Sequence, residues 1–239
     1  MTERSVSRDE NTVSQETSQE PRWRRLPEER PRQIIEAALE IFGEHGLREA
    51  RLDDIARRAG LSKGTIYLYF PNKEELFREV VRSIIVARLE RAELELDAAA
   101  GSTATEQLLA YMRQWWAFLL TANYATLYKL IVSELHRFPD LAQFYADEVV
   151  KRSHALVAGI VARGVESGEF RAVEPAATAR MMSSMFISHA LWCSKREIFR
   201  QITTCSEDEI LSQLTDFILH ALRPDSPARG GVTTTPHAR

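Results

Sequence analysis

Apolar side chains recur at helical spacing along most of the chain, and they divide its first part into short amphipathic segments. The first segment begins near Pro31, a residue suited to a first helical turn, and Gly46 is its expected stop. A second helix is predicted over 52–59, with Gly60 supplying a sharp turn. Ser62 is a suitable N-cap for a third helix over 63–70. Three helices in close succession are therefore expected near the N-terminus.

A longer fourth helix is predicted to start at Lys73, because Asn72 followed by Glu75 resembles a capping box. Its apolar stripe continues to about Asp97, where a small-residue break follows. The rest of the chain also follows helical periodicity. The further predicted helices are 106–120, 124–138, 139–166, 175–192 and 207–222.

The composition agrees with this pattern and narrows the class of protein. Glycine (10) and proline (9) are sparse, and hydrophobic residues make up 44% of the 239-residue chain, so we expect an all-α protein with an ordinary core. The formal net charge is −3, so overall charge does not point to nucleic acid. Cys193 and Cys205 lack metal-ligand spacing and are expected to be free thiols in a reducing cytosol. Neither a membrane span nor a signal core is visible.

Both ends of the chain differ in composition from the middle. Residues 1–29 are expected to be a disordered extension, and 224–239 a disordered tail rich in Pro, Gly, Ser and Thr. The segment 21–32 has a local charge of +3. It is interpreted either as a solvated linker or as an arm that contacts DNA. Its arginines are Arg22, Arg24, Arg25, Arg30 and Arg32.

The order of elements over 52–76 is that of a helix-turn-helix DNA reader. A recognition helix needs long donors or small residues at its start, where it meets base edges. Lys63 can donate to guanine O6 or N7, and Gly64 allows the backbone to approach the groove. Thr65 can contact a phosphate or a thymine methyl group.

Further along the same helix, Tyr67 and Tyr69 carry hydroxyls that commonly donate to phosphates. Ile66 and Phe70, four residues apart, are assigned to the core. Lys73 stands at the start of the next helix, where an ammonium and a positive helix end together favour a phosphate.

This region resembles the TetR family of bacterial transcriptional regulators, over about residues 31–80. The resemblance implies a three-helix DNA-binding domain (30–90, with the reader at about 51–70), joined by the fourth helix to a helical ligand-binding and dimerisation domain (91–223). The residues that carry it are Ala37, Phe42, Gly46, Ile55, Ala56, Ala59, Gly60, Ser62, Gly64, Thr65, Tyr67, Tyr69, Phe70, Lys73 and Leu76.

The resemblance also implies roles for individual residues. Base contacts are expected from Lys63, Gly64 and Tyr67, and phosphate contacts from Thr65, Tyr69 and Lys73, beside the cap residue Ser62. One position departs from the family pattern, because Arg51 stands where many members have a capping Ser or Thr. Loss of the cap is expected to cost about 1 kcal/mol of stability, while the guanidinium of Arg51 can still reach a phosphate.

A small-molecule pocket in the C-terminal domain is implied as well. Large, adaptable side chains there either line such a pocket or belong to core and dimer packing. The candidates are Met112, Trp115, Trp116, Tyr128, Phe144, Met185 and His189. No metal site, cofactor or catalytic residue is expected, since neither metal spacing nor a nucleophile beside a base is visible.

We therefore expect a homodimeric regulator that binds a palindromic DNA operator and is released by a small lipophilic effector. The last two long helices are expected to form the dimer seam. The first contributes the small residues Ala176, Ala179, Ser183 and Ala190, and the second contributes Leu214, Phe217 and Ile218. The location is expected to be the bacterial cytoplasm, at the nucleoid when the protein is bound to DNA, and not a membrane. An activator or effector-independent regulator is the alternative, and an all-helical enzyme or carrier a distant one.

Overall fold

The structure is a computed structural model that describes residues 29–199 and 204–224. Every regular element within those residues is a helix, so the all-α prediction is confirmed. Apart from Glu29, which begins the first helix, and Pro224, the expected disordered segments lie outside the described residues, as do the arginines at 22, 24 and 25. Of the two described arginines of the arm, Arg32 pairs with Glu36 through Nε and Oε1 at 2.8 Å.

The head of the molecule consists of three helices and the start of a fourth. Their bounds are α1 (Glu29–Glu49), α2 (Leu52–Arg58) and α3 (Lys63–Tyr69). Gly46 has φ 75° and leaves helical geometry as expected, although the helical turn resumes to Glu49. Gly60 has φ 68°, which supplies the predicted turn between α2 and α3. Ser62 caps α3 by accepting a hydrogen bond from the Thr65 amide.

The fourth helix, α4, starts at Lys73, and the Asn72 side chain accepts from the Glu75 amide as a cap. It was predicted as one regular helix, but a π-helical turn interrupts it. Its segments are Lys73–Val81, the π turn Arg82–Val86, and Ala87–Ala98. The rings of Phe42 and Phe77 meet edge to face at 5.9 Å, which fixes α4 to α1.

The C-terminal part consists of further helices packed around α4. They are α5 (Ala104–Leu119), α6 (Ala122–Glu134), α7 (Pro139–Tyr145, a π turn Ala146–Lys151, and Arg152–Glu166), α8 (Pro175–Ser194), the unpredicted α9 (Arg196–Phe199) and α10 (Glu207–Leu222). The main packing pairs are α8 with α7, α5 with α7, and α10 with α8 and α5. In addition, α6 packs directly on α1 of the head.

The turn after α7 ties two helices together. The Glu169 carboxylate accepts hydrogen bonds from the amides of Ala104 and Thr105, both at 3.0 Å, and so caps the start of α5. The Thr105 amide is the main reason why the pKa of Glu169 is lowered. The Phe170 amide donates to the Gly164 carbonyl at 2.9 Å, and the Phe170 ring is buried. The turn is therefore held from both sides.

The expected dimer seam needs correction in detail. Most of its proposed residues are buried inside the protomer, where they hold α8 and α10 to the other helices. These buried residues are Ala179, Ser183, Ala190, Leu214 and Ile218. Two of the exposed large apolar side chains on these helices, Met181 (60% exposed) and Phe217 (62%), border a groove between α8 and α10, whereas Trp192 (38%), near the end of α8, does not line it.

Candidate functional site

The turn between α2 and α3 presents the start of α3 at the surface. The Leu61 amide donates to the Ala56 carbonyl at 2.8 Å and closes the turn behind Gly60. The Ser62 and Thr65 hydroxyls share a hydrogen bond of 2.7 Å. A Cβ added to Gly64 would meet only Ser62 Oγ, at 3.9 Å. Packing within the protein therefore does not require glycine at position 64. The open space next to Gly64 lies on the solvent side of α3.

One side of α3 is buried and the other projects outward. Ile66 is fully buried, while Tyr67 and Tyr69 are 45% and 38% exposed. Phe70, assigned to the core from sequence, is only partly buried against it. Leu68 is 85% exposed and was not among the predicted site residues. Its position two residues after buried Ile66 was the available signal, because such a spacing points to the opposite side of a helix.

Lys63 projects from the first turn of α3 and is paired within the head. Its Nζ lies 2.8 Å from Asp53 Oδ2, with the two side chains 68% and 45% exposed. This hydrogen bond is the main reason why the pKa of Lys63 is raised. Nζ also lies 5.9 Å from the Tyr67 ring centroid. A partner that takes hydrogen bonds from Lys63 must therefore compete with Asp53.

The two flanking cations differ in their surroundings. Arg51 is exposed at the N-cap of α2 and makes no side-chain capping bond, as the sequence predicted. Lys73 is half-buried, and its ammonium donates to the backbone carbonyls of Arg48 and Ala50. Lys73 thus holds the α1–α2 connection, a role that sequence spacing did not reveal.

A cavity of about 250 Å³ lies between α4, α5, α6, α7 and α8. Its wall is mostly apolar and aromatic, with Arg88, His154, Ser153 and Ser183 as polar groups. Its aromatic residues are Tyr111, Trp115, Phe118, Tyr124, Tyr128 and Tyr145. Burial raises the pKa of Tyr111, Tyr124 and Tyr145, so these phenols are neutral at pH 7.

Two of the seven predicted pocket residues, Trp115 and Tyr128, border this cavity. Trp115 stacks on Phe186 at 5.5 Å, and Tyr128 stacks on Tyr124 at 5.7 Å. Of the two alternatives left open by the sequence, cavity wall or core packing, Trp115 and Tyr128 therefore belong to the cavity wall.

The other five predicted residues lie elsewhere. Met112 and Trp116 are buried in the core. Phe144 lies under the guanidinium groups of Arg78 and Arg82. Met185 borders the groove between α8 and α10, and the His189 ring bonds back to the Met185 carbonyl. Helical spacing alone does not tell which side of a helix faces a cavity.

Two absences hold for the part of the chain that the structure describes. There, no helix is long and apolar enough to cross a membrane. Over the same residues, no group of three or more His, Cys, Asp or Glu side chains is placed to hold a metal ion.

A capped, surface-exposed second helix after a glycine turn defines a helix-turn-helix protein with a separate helical domain behind the reader. Residues 34–80 match the family model described as bacterial regulatory proteins, tetR family. Residues 106–223 match the model of the AefR-like transcriptional repressor C-terminal domain.

Relatives agree with both matches. The fatty acid metabolism regulator protein of Bacillus subtilis (strain 168) is 31% identical over 160 residues, which cover 66% of this chain and 80% of that protein. The chain therefore belongs to the TetR family of bacterial transcriptional regulators and is not an enzyme.

Solved structures share the fold. The regulator FadR from Bacillus subtilis, in complex with stearoyl-CoA, matches with a TM-score of 0.67 and 23% identity, covering 80% of this chain and 99% of FadR. A protein of Saccharomonospora viridis, described as a putative transcriptional regulator and solved with choline, matches with a TM-score of 0.64 and 22% identity. That match covers 82% of this chain and 99% of the other.

Proposed function

We propose that this TetR-family regulator is a homodimeric repressor that binds a palindromic operator and leaves it when a small lipophilic effector fills the α4–α8 cavity. The observation that carries the proposal is the position of α6. One side of α6 supplies Tyr124, Tyr128 and Ile131 to the cavity wall, and the helix also packs on α1 of the head. A ligand that moves α6 therefore acts on the DNA-binding part directly.

We assign operator contacts to the exposed surface of the reader. Lys63, Gly64 and Tyr67 meet base edges, while Arg51, Ser62, Thr65, Tyr69 and Lys73 serve the backbone phosphates, although Lys73 must share its ammonium with two carbonyls. Residues 30–90 would form the DNA-binding domain and 91–223 the effector and dimer domain. The protein would act in the bacterial cytoplasm, at the nucleoid when bound.

Dimerisation through α8 and α10 supplies the second reader. The groove there is apolar and has Met181 and Phe217 at its border, and exposed apolar side chains of this size favour a partner. Two linked readers gain affinity on a palindrome through effective concentration. A structure of a Bacillus subtilis relative with stearoyl-CoA, and the repressor-type C-terminal match, support an effector-released repressor rather than an activator.

The proposal is tested by selecting a DNA duplex with the full-length protein and then screening lipophilic compounds for its release. We expect a palindromic duplex to bind in the nanomolar range and to carry two protein copies, as judged by fluorescence anisotropy and sedimentation. At least one compound should raise the apparent Kd by about tenfold or more. Tight binding that no compound alters would contradict the effector role, and a reporter gene that loses expression without the regulator would identify an activator.

Contact between α1 and α6 gives a sharper test of coupling. A Cβ added to Gly43 would lie 2.8 Å from Thr126 Cγ2, so the two helices touch without room for a methyl group. Gly43→Ala should lower the free energy of unfolding by about 1 kcal/mol, because crowding outweighs the gain in helix propensity. It should also reduce effector-driven release from DNA, since the added methyl group forces α1 and α6 apart at their contact. Thermal unfolding and DNA titration measure the two effects.

The control is the double variant Gly43→Ala/Thr126→Ser, which removes the opposing methyl group. It should be more stable than Thr126→Ser alone by up to about 1 kcal/mol, because only the helix propensity of alanine remains. Normal effector release should return with it. If Gly43→Ala destabilises the protein equally in both backgrounds, the close approach of α1 and α6 is not the cause.

A further inference from the structure

Arg88 of α4 brings a charged group with an unused hydrogen-bond donor to the cavity wall. Its Nη2 donates to Gln114 Oε1 at 2.5 Å. Its Nη1 is buried from solvent and has no hydrogen-bond partner. Nη1 forms a long ion pair with Glu95 Oε2 at 3.9 Å, a distance beyond hydrogen bonding. Since buried N–H groups are nearly always paired in native proteins, this donor indicates a missing partner.

Ser183 of α8 borders the same cavity and repeats the pattern. The residue is buried, and its Oγ has no hydrogen-bond partner. Two helices from different parts of the chain thus each place one unsatisfied polar atom in a mostly apolar and aromatic wall. A ligand with one polar end and an apolar body would satisfy both.

The charge of the wall selects the sign of that polar end. Arg88 borders the cavity, and no Asp or Glu does so among the lining residues that the structure describes. Burial and the nearby Arg180 lower the pKa of His154, so its ring is mainly neutral at pH 7. The charge of the wall is therefore that of Arg88. Aromatic rings such as Tyr124 and Tyr128 suit a cation in isolation, but the guanidinium beside them repels one. An anion is therefore favoured over a quaternary ammonium.

We propose that the cavity binds an amphipathic monocarboxylate of medium length, whose carboxylate accepts hydrogen bonds from Arg88 Nη1 and the Ser183 hydroxyl. Its apolar body would lie against Ile85, Leu89 and Ile187 of the wall. A volume of about 250 Å³ lies slightly below the usual range for ligand pockets, which suits a chain of moderate length. This inference rests on the proposed function only in taking the cavity as the effector site.

The test is calorimetric titration of the full-length protein with octanoate, methyl octanoate and octyltrimethylammonium. Octanoate should bind at least about tenfold more tightly than the ester, because a charge-assisted hydrogen bond is lost in the ester. Arg88→Gln should weaken octanoate binding about 10- to 100-fold and leave ester binding unchanged. Unchanged ester binding and a normal unfolding transition show that this variant is folded.

Arg91→Gln is the matched control, since Arg91 is an exposed residue on the same helix and its replacement removes the same charge. It should leave octanoate binding unaltered. The inference is overturned if wild-type protein does not bind octanoate, if Arg88→Gln binds it as well as wild type does, or if the ammonium compound binds most tightly.

Operator titrations keep this inference separate from the proposed function. One outcome is that a compound without a carboxylate releases the DNA while Arg88→Gln leaves octanoate affinity unchanged. That outcome supports the proposed regulator function and overturns the carboxylate site. Octanoate binding that depends on Arg88 but leaves the operator complex intact supports the carboxylate site and overturns its role as the effector site.

Discussion

Lys63→Ala is expected to weaken operator binding by the dimer at least about tenfold, because one substitution removes a base contact from each of two readers. The structure adds a second reason. Lys63 neutralises Asp53, whose Oδ1 is buried without a hydrogen-bond partner. Removal of the ammonium leaves that carboxylate facing the DNA, and its charge repels phosphates. Fluorescence anisotropy on the selected operator measures the loss.

Three comparisons make the Lys63 result specific. Lys129→Ala removes an exposed cation from α6, outside the head, and should leave DNA affinity nearly unchanged. Asp53→Asn should raise affinity modestly, because Lys63 no longer has a competing carboxylate. Binding to a random duplex should fall less than binding to the operator, since base contacts specify sequence. Equal losses on both duplexes would show that Lys63 contacts only the DNA backbone.

Gly164→Ala is expected to lower the free energy of unfolding by about 3 kcal/mol, the largest stability change of a single methyl group that we foresee. The added Cβ would overlap the buried ring of Phe170, with Cγ at 2.8 Å and two further ring atoms closer. The ring must leave its position, although its backbone amide is bonded to the Gly164 carbonyl. A drop in Tm of roughly 6–12 °C should follow for a chain of this size.

Gly159→Ala on the same helix is the control for Gly164→Ala. There an added Cβ would meet only Arg163 Nη1 at 3.6 Å, an ordinary contact. That variant should be neutral or more stable by up to about 1 kcal/mol, from helix propensity alone. Combining Gly164→Ala with Phe170→Leu should recover part of the loss. A Tm drop of equal size in both glycine variants would mean that the Phe170 ring is not responsible.

The parts of the fold that sequence predicted well are those fixed by local chemistry. Ser62 caps α3 and Gly60 takes a positive φ, because capping and turn geometry depend on neighbouring residues only. The π turns within α4 and α7 carry no such local signal. The start of the reader could therefore be placed to the residue, whereas the irregular turns could not.

The candidate sites were less predictable because they depend on contacts between distant segments. Trp115 and Trp116 are adjacent and chemically alike, yet only the first borders the cavity, since the rotation of α5 decides this. Arg88 was not expected there, because a charged residue on an amphipathic helix is normally solvated. The pairing of Lys63 with Asp53 likewise joins two helices, and no spacing rule foretells it.

Anchors at both ends of α4 make it a lever arm. Lys73 fastens the head end to the Arg48 and Ala50 carbonyls, and Gln107 Nε2 holds the far end through the Ala99 carbonyl at 2.9 Å. At 1.5 Å per residue the arm is about 39 Å long. Leu89, in the cavity wall, lies roughly 14 Å from the far end. If the arm pivots about its far end, the head end moves about three times as far as Leu89 does. A ligand that moves Leu89 by about 1 Å would thus shift each reader by about 3 Å.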